Sequence, residues 1–208
     1  FRSLPLGLGL WWAAADARGQ SWHDRLAGTQ VTLRSTGDVV FDGRGELRTQ
    51  ADATVSAARV TATSSSDQSL SSGGTLTVSK AAGAYTLDES VGAGGKLSLS
   101  GKKLVQSGVI DIESGTLNLS ADGLSGDATA VVFSEGSLTS VKGRKHQVNQ
   151  DWSVASPGGK IAVTAKANEI MIDGTLDASA PVMTAADNGD AQSAGTVTLL
   201  ATGTADDS

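Results

Sequence analysis

The sequence predicts an all-β protein, a right-handed parallel β-helix (β-solenoid) with about 21 residues per coil. Three observations predict this fold. A short phrase recurs at nearly constant spacing, each copy alternates apolar and polar residues, and Gly, Ala, Ser and Thr make up about half of the 208 residues. Strands have a side-chain period of two, and repeats of about 20–50 residues are typical of stacked architectures. We therefore expect stacked strands around a thin apolar interior.

The recurring phrase is Gly, any residue, aliphatic, any residue and usually a second aliphatic. From the second to the sixth copy the glycines are 21, 20, 21 and 23 residues apart. The first step spans 46 residues, about two units, and the last spans 36, one unit with about 15 additional residues. An antiparallel sandwich, the alternative all-β fold, does not predict such a period. The copies begin at Gly28, Gly74, Gly95, Gly115, Gly136, Gly159 and Gly195.

The first aliphatic residue of each phrase should face the interior of the coil. If one phrase marks one coil, about eight coils follow Gly28, and these side chains form a single file along the axis. The interpretation as a shaft depends on this file. Its predicted members are Leu76, Leu97, Leu117, Leu138 and Ile161.

Domain organisation follows from where the phrase begins. We expect residues 1–27 to form a flanking or capping segment, and residues 28–208 to form the β-helix, with an inserted loop at 181–194. Trp11, Trp12 and Trp22 are predicted to pack on the first coil. The apolar start resembles a signal peptide. An arbitrary boundary within a longer protein is the favoured interpretation, because the phrase at Gly195 has no room to complete a unit.

Composition excludes several classes of function. The sequence has no cysteine, which excludes disulfides and thiolate chemistry. No apolar run approaches the roughly 18–20 residues of a membrane span, so no membrane insertion is expected. The net charge of −6 argues against nucleic acid as a partner. No sequence motif indicates a cofactor, so none is expected.

Three phrases near the end of the chain resemble a known family. They are Gly-Gly-Lys-Ile-Ala-Val-Thr-Ala (158–165), Ile-Asp-Gly-Thr-Leu-Asp-Ala-Ser (172–179) and Ala-Gly-Thr-Val-Thr-Leu-Leu-Ala (194–201). They resemble repeats of filamentous-haemagglutinin-type exoproteins, the secreted partners of bacterial two-partner secretion, over residues 28–203. The resemblance implies export from a Gram-negative cell by an outer-membrane transporter, a secreted or cell-surface location, and a shaft that presents binding regions. The family's secretion domain usually carries Asn-Pro motifs, and their absence indicates a shaft segment.

The sequence therefore predicts a non-enzymatic structural segment of a surface adhesin, with a surface glycan or protein as its receptor. Two alternatives stay open. One is an autotransporter passenger segment with the same rod. The other is a carbohydrate-active β-helix enzyme, a polysaccharide lyase or hydrolase. Asp111 and Glu113, two residues apart on a strand, would form its close carboxylate pair, and Asp173 with Asp177 is a second candidate.

Two segments are candidate binding sites. The basic cluster between residues 142 and 146 could bind a sulfated glycan. The insertion at 181–194 is predicted to leave the stack as a surface loop, and such loops often form the binding face. Its acidic turn resembles a calcium loop but lacks the glutamate at the required spacing, so no metal site is expected. The candidate binding residues are Lys142, Arg144, Lys145, His146, Asp187, Asn188 and Asp190.

Overall fold

The computed structural model of the chain describes residues 30–83, 91–166 and 169–203. These residues form nineteen strands and include the 3₁₀ turn Ala185–Asp187, with no α-helix among them. The all-β prediction is confirmed for this part of the chain. The predicted capping segment, residues 1–27 with its three tryptophans, lies outside the described residues.

Seventeen of the strands form three parallel sheets, and the other two form an antiparallel hairpin. Sheet I contains β1 (Val31–Arg34), β4 (Ala53–Ala57), β7 (Thr75–Lys80), β9 (Lys103–Ser107), β12 (Thr129–Phe133) and β17 (Glu169–Ile172). Sheet II contains β2 (Asp38–Phe41), β5 (Arg59–Ala62), β10 (Val109–Asp111), β13 (Leu138–Ser140) and β18 (Thr175–Asp177). Sheet III contains β3 (Arg44–Thr49), β6 (Asp67–Ser72), β8 (Lys96–Gly101), β11 (Thr116–Ala121), β16 (Lys160–Ala165) and β19 (Thr196–Ala201). The hairpin is β14 (Lys145–Asn149) with β15 (Trp152–Ala155).

The chain visits the three sheets in the order I, II, III and then returns to sheet I beside its previous strand. We call one such visit a circuit, and the described residues contain six. The third circuit has no described strand in sheet II, and there β10 pairs directly with β5 through Ile110 and Val60. This arrangement of parallel strands is compatible with a β-solenoid.

One apolar interior lies between the three sheets. Along β11, for example, Leu117, Leu119 and Ala121 are buried while the residues between them are partly or fully exposed. Burial of apolar surface contributes about 25 cal/mol per Å², so each strand stabilises the stack mainly through its inward positions. The largest fully buried apolar side chains are Leu70, Leu76, Leu97, Leu99, Leu104, Ile110, Ile112, Leu117, Leu119, Phe133 and Ile161.

The predicted single file is correct in sheet III and wrong elsewhere. Leu97, Leu117 and Ile161 are in register on neighbouring strands of sheet III. Leu76 instead lies in sheet I, where it pairs with Ala53 and Leu104. Leu138 lies in sheet II, paired with Val109 and Thr175. The five residues therefore do not form one file, and the shaft interpretation can no longer depend on it. What supports a shaft is instead the direct stacking of parallel strands in three sheets, in which the phrase marks different faces in different circuits.

The constant spacing also fails. In sheet III, paired residues are 20 positions apart between Lys96 and Thr116, but 44 apart between Thr116 and Lys160. A spacing of 21 occurs between Asp38 and Arg59 in sheet II. Because the circuits differ in length, residues 30–203 form six circuits rather than the predicted series of about eight coils.

The glycine that begins the phrase is required for different structural reasons at different positions, which explains why the phrase did not predict a constant spacing. In sheet III, a Cβ on Gly159 would lie 2.1 Å from the carbonyl oxygen of Gly115, and one on Gly195 would lie 1.8 Å from that of Gly159. These glycines let adjacent backbones approach, so that Lys160 N can donate to Gly115 O at 2.8 Å. Gly136 has open space around it and instead has a φ of +72° in a turn. One sequence phrase thus satisfies two different backbone requirements.

Candidate functional site

Two insertions leave the stack at the same corner, between sheets II and III, in successive circuits. In the fourth circuit this corner is short, residues 112–115. In the fifth it is residues 141–159, which contain the hairpin, and in the sixth it is residues 178–195, which contain the 3₁₀ turn. We call residues 141–159 and 178–195 together the ledge. Sequence analysis predicted the second insertion but missed the first, because the phrase glycines on either side of it are 23 residues apart, close to the expected period.

The hairpin is fastened to the corner of the circuit beside it by two buried carboxylates. Arg144 Nη2 donates to Asp111 Oδ2 at 2.5 Å, and its Nη1 lies 3.6 Å from Glu113 Oε2. His146 Nε2 lies 2.5 Å from Glu113 Oε1. Asp111 and Glu113 are only 3% and 5% exposed. Because buried carboxylates are costly unless they are paired, these contacts fix the base of the hairpin on the stack.

The second strand of the hairpin is held at the same corner. Ser156 Oγ donates to Glu113 Oε1 at 2.6 Å, and Arg144 N donates to Ser156 Oγ at 2.8 Å. Ser114 Oγ donates to the carbonyl oxygen of Pro157 at 2.6 Å. Glu113 therefore accepts hydrogen bonds or ion pairs from both ends of the hairpin.

The charge cluster continues into the stack. Arg59, which is fully buried in sheet II, lies 4.0 Å from Asp111 Oδ2 through Nη1 and donates from Nε to Asp38 Oδ2 at 3.0 Å. Three carboxylates thus face two guanidinium groups and the His146 imidazole. This network links the first, second, fourth and fifth circuits through sheet II and the base of the hairpin.

The second insertion lies against the hairpin. Lys145 Nζ donates to Asp187 Oδ1 at 2.8 Å, and Asn188 Nδ2 donates to the carbonyl oxygen of Asp151 at 2.8 Å. Thr184 donates from both its amide and its hydroxyl to Asp187 Oδ2, each at 2.7 Å. The Lys145 ammonium, followed by the two Thr184 donors, lowers the pKa of Asp187 to about 2.

Two cavities border the hairpin. The larger, about 380 Å³, is lined by Lys142, Gly143, Arg144, Lys145, His146, Ser179, Ala180 and Pro181. The other, about 330 Å³, lies between the hairpin and the 3₁₀ turn, and we call it the groove. It is lined by Lys145, Gln147, Gln150, Asp151, Trp152, Ser153, Ala186 and Asp187.

The structure places the predicted binding residues on this one ledge, but most of them make internal contacts. Arg144, Lys145 and His146 each face a carboxylate. Lys142 is exposed beside Asp177. Burial raises the pKa of Asp177, but the Ser179 hydroxyl, the Ser179 amide and the charge of Lys142 together outweigh burial, so the pKa of Asp177 is lowered. The basic cluster is therefore largely neutralised, which weakens the basis for the sulfated-glycan hypothesis.

The predicted residues of the acidic turn differ in role. Asp187 and Asn188 connect the insertion to the hairpin, and Asn188 has a φ of +50° that ends the 3₁₀ turn. Asp190 is exposed, with no hydrogen bond or ion pair to the described residues. The proposed carboxylate pair has a comparable connecting role, because Asp111 and Glu113 are covered by the hairpin that they hold.

The polar residues of the groove were missed as a site. A partial signal was present in the sequence, since Trp152-Ser153-Val154 alternates apolar and polar residues directly after the polar pair Gln150 and Asp151, as expected for a strand that follows a turn. The repeat hypothesis assigned these residues to an ordinary coil instead.

Comparisons with known proteins add no assignment. No family model matches the sequence, and no curated protein or solved structure matches it. Within residues 30–83, 91–166 and 169–203, no three His, Asp or Glu side chains are arranged to hold a metal ion. In the same residues, no helix has the length and apolar character that a bilayer span requires.

Proposed function

We propose that this chain is a right-handed parallel β-helix that acts as a shaft segment of a large secreted surface adhesin, and that the ledge is its contact surface. One observation carries the proposal. Two insertions leave successive circuits at the same corner and are fastened to each other and to the stack by the contacts of Asp111, Glu113, Lys145 and Asn188.

The stack has the properties of a stiff support. Sheets I and III each run through six circuits with continuous parallel pairing. Stability in such a stack is approximately a sum of contacts between neighbouring circuits, so the unit extends without a larger core. Right-handedness is the expected sense, because connections between parallel strands of one sheet are right-handed in about 98% of cases.

The exposed apolar side chains support the ledge as the contact surface. Outside the strands of the first and last circuits, every exposed large apolar side chain of the described residues lies on the ledge. Clustered apolar exposure is typical of interaction sites. These side chains are Val148, Trp152, Val154 and Val182.

We also propose a route of export for the chain. The family resemblance favours two-partner secretion, with an outer-membrane transporter as the partner during export and a surface glycan or protein as the later receptor. An autotransporter passenger would have the same rod. A catalytic role for Asp111 and Glu113 is disfavoured by their burial and ion pairing, and we propose that both act as anchors.

The proposal is tested by adhesion to the full chain immobilised on a surface. Host or bacterial cells should bind to it, and Val154→Ser with Val182→Ser should reduce binding by about tenfold, the loss expected for contact residues at the centre of an interface. Val40→Ser, which changes a valine of the first circuit with an exposure of 47% against 41% for Val154, is the matched control. Equal adhesion to all three proteins, with unchanged melting temperatures, would remove the ledge from the proposed function.

A further inference from the structure

We infer that the groove binds an uncharged, hydroxyl-rich ligand, a neutral oligosaccharide, with Trp152 as the surface on which a sugar ring stacks. The inference rests on the proposed function and names the ligand class for one part of the ledge. It differs from the sulfated-glycan hypothesis in both the site and the charge of the ligand.

The charges of the groove favour a neutral ligand. Lys145 and Asp187 line it but pair with each other at 2.8 Å. Asp151 is then the one charged lining residue without a side-chain partner among the described residues. A sulfated or carboxylated ligand would meet the Asp151 carboxylate without a compensating free cation, and like charges repel at short range.

Trp152 provides an apolar, flat surface. Trp152 is 47% exposed at the start of β15, so part of a large aromatic residue is open to a ligand. Indole presents two apolar faces and one N–H donor, so it can pack against the C–H face of a sugar ring while its edge stays polar. Val154, exposed two residues further along the same strand, does not line the groove.

The other lining residues match hydroxyl groups. Gln147 and Gln150 have no side-chain hydrogen bond to the described residues. Each amide offers two donor hydrogens and an acceptor oxygen, and the Asp151 carboxylate accepts only. Sugar hydroxyls both donate and accept, so an alternating set of this kind can satisfy several of them without a net charge.

The groove is held in place before a ligand arrives. Asp151 N donates to Asn149 Oδ1 at 2.9 Å, which fixes the hairpin turn, and Asn188 fixes the Asp151 carbonyl. The Lys145–Asp187 pair fixes the opposite wall. Pre-organisation lowers the entropy cost of binding, and the volume of about 330 Å³ falls in the range of small-molecule sites.

The test measures binding of four hexasaccharides to the full chain by saturation-transfer NMR and titration. Three are uncharged, built from glucose, galactose or N-acetylglucosamine, and the fourth is a sulfated heparin hexasaccharide. We expect at least one uncharged probe to bind more tightly than heparin. Trp152→Ala should raise its Kd by at least about tenfold and Gln147→Ala by a smaller factor. Val40→Ala, at an exposed valine of the first circuit away from the ledge, should leave the Kd unchanged.

Three outcomes would overturn the inference: no uncharged probe binds, heparin binds more tightly than all of them, or Trp152→Ala binds like the unmodified chain. If Trp152→Ala loosens the hairpin, Trp152→Phe decides, because retained binding supports stacking on a flat ring and lost binding contradicts it. A failure of the saccharide hypothesis can be told apart from a failure of the proposed adhesin function. Cell adhesion that depends on Val154 and Val182 could persist without any saccharide binding at Trp152.

Discussion

Sheet III and the corner that leads into it follow different structural rules. In sheet III, six strands are paired in sequence, and the inward residues Leu97, Leu117 and Ile161 repeat the same chemistry. The corner varies from residues 42–43 in the first circuit to residues 141–159 in the fifth. Stacking constrains the residues that touch the circuits on either side, whereas a corner can lengthen and acquire a site without disturbing the sheets.

The largest effect should come from the inward file of sheet III. Leu117→Ala leaves a cavity between Leu97 and Ile161, so we expect a loss of about 4 kcal/mol in the free energy of unfolding. Urea unfolding checks this, with Asn118→Ala, a half-buried neighbour on the same strand, as the control. A loss below about 1 kcal/mol would show that the file is not tightly packed.

The anchor at the corner should fail locally rather than globally. Glu113→Ala removes the partner of His146, Arg144 and Ser156, and breaking a buried ion pair of this kind costs about 3 kcal/mol. Amides of the hairpin should then exchange with solvent about 100-fold faster, while amides of β11 keep their rates. Glu46→Ala, which breaks the exposed pair with Arg48, should change neither region. Uniform acceleration across sheet III would contradict the separation of the two regions.

The close backbone approach in sheet III gives a smaller effect. In Gly159→Ala the new methyl group would lie 2.1 Å from Gly115 O, so the backbone must shift, and we expect a loss of about 2 kcal/mol in the free energy of unfolding. Gly37→Ala, whose nearest neighbour atom is 4.0 Å away, is the control. Thermal or urea unfolding of the two variants decides, and equal stability would mean that close approach is not why the phrase starts with glycine there.

The smallest effect concerns pH at the ledge. The folded chain holds the pKa of Asp187 at about 2, below its ordinary value of 3.8, so its carboxylate stabilises the fold above about pH 4 and that contribution is lost as pH falls toward 2. The melting temperature of Asp187→Asn should therefore lie below that of the unmodified chain at pH 5, and the two should converge near pH 2. In a Lys145→Gln background the difference at pH 5 should shrink, because the Lys145 ammonium is the first cause of the shift. A difference that is independent of pH would contradict the role of the charge.

Parts of the fold and site were predictable because they depend on local pattern. Alternation in residues 116–121 predicted an inward Leu117 and Leu119, and the break in spacing before Gly195 predicted the second insertion. The unequal lengths of the circuits could not be predicted from the recurring phrase. Its glycine permits close approach of backbones at position 159 but a turn at position 136. A phrase that answers two requirements cannot fix a single period.

The sequence by itself determined that the chain is built from β-strands, which side chains face inward, and where extra residues accumulate, because these follow from side-chain alternation and from glycine. Only the tertiary structure decided which sheet each strand joins and what the charged residues do. Arg144 reaches Asp111 across 33 positions and Lys145 reaches Asp187 across 42. Contacts over such separations depend on which circuits become neighbours, and that is set by the unequal lengths of the corners.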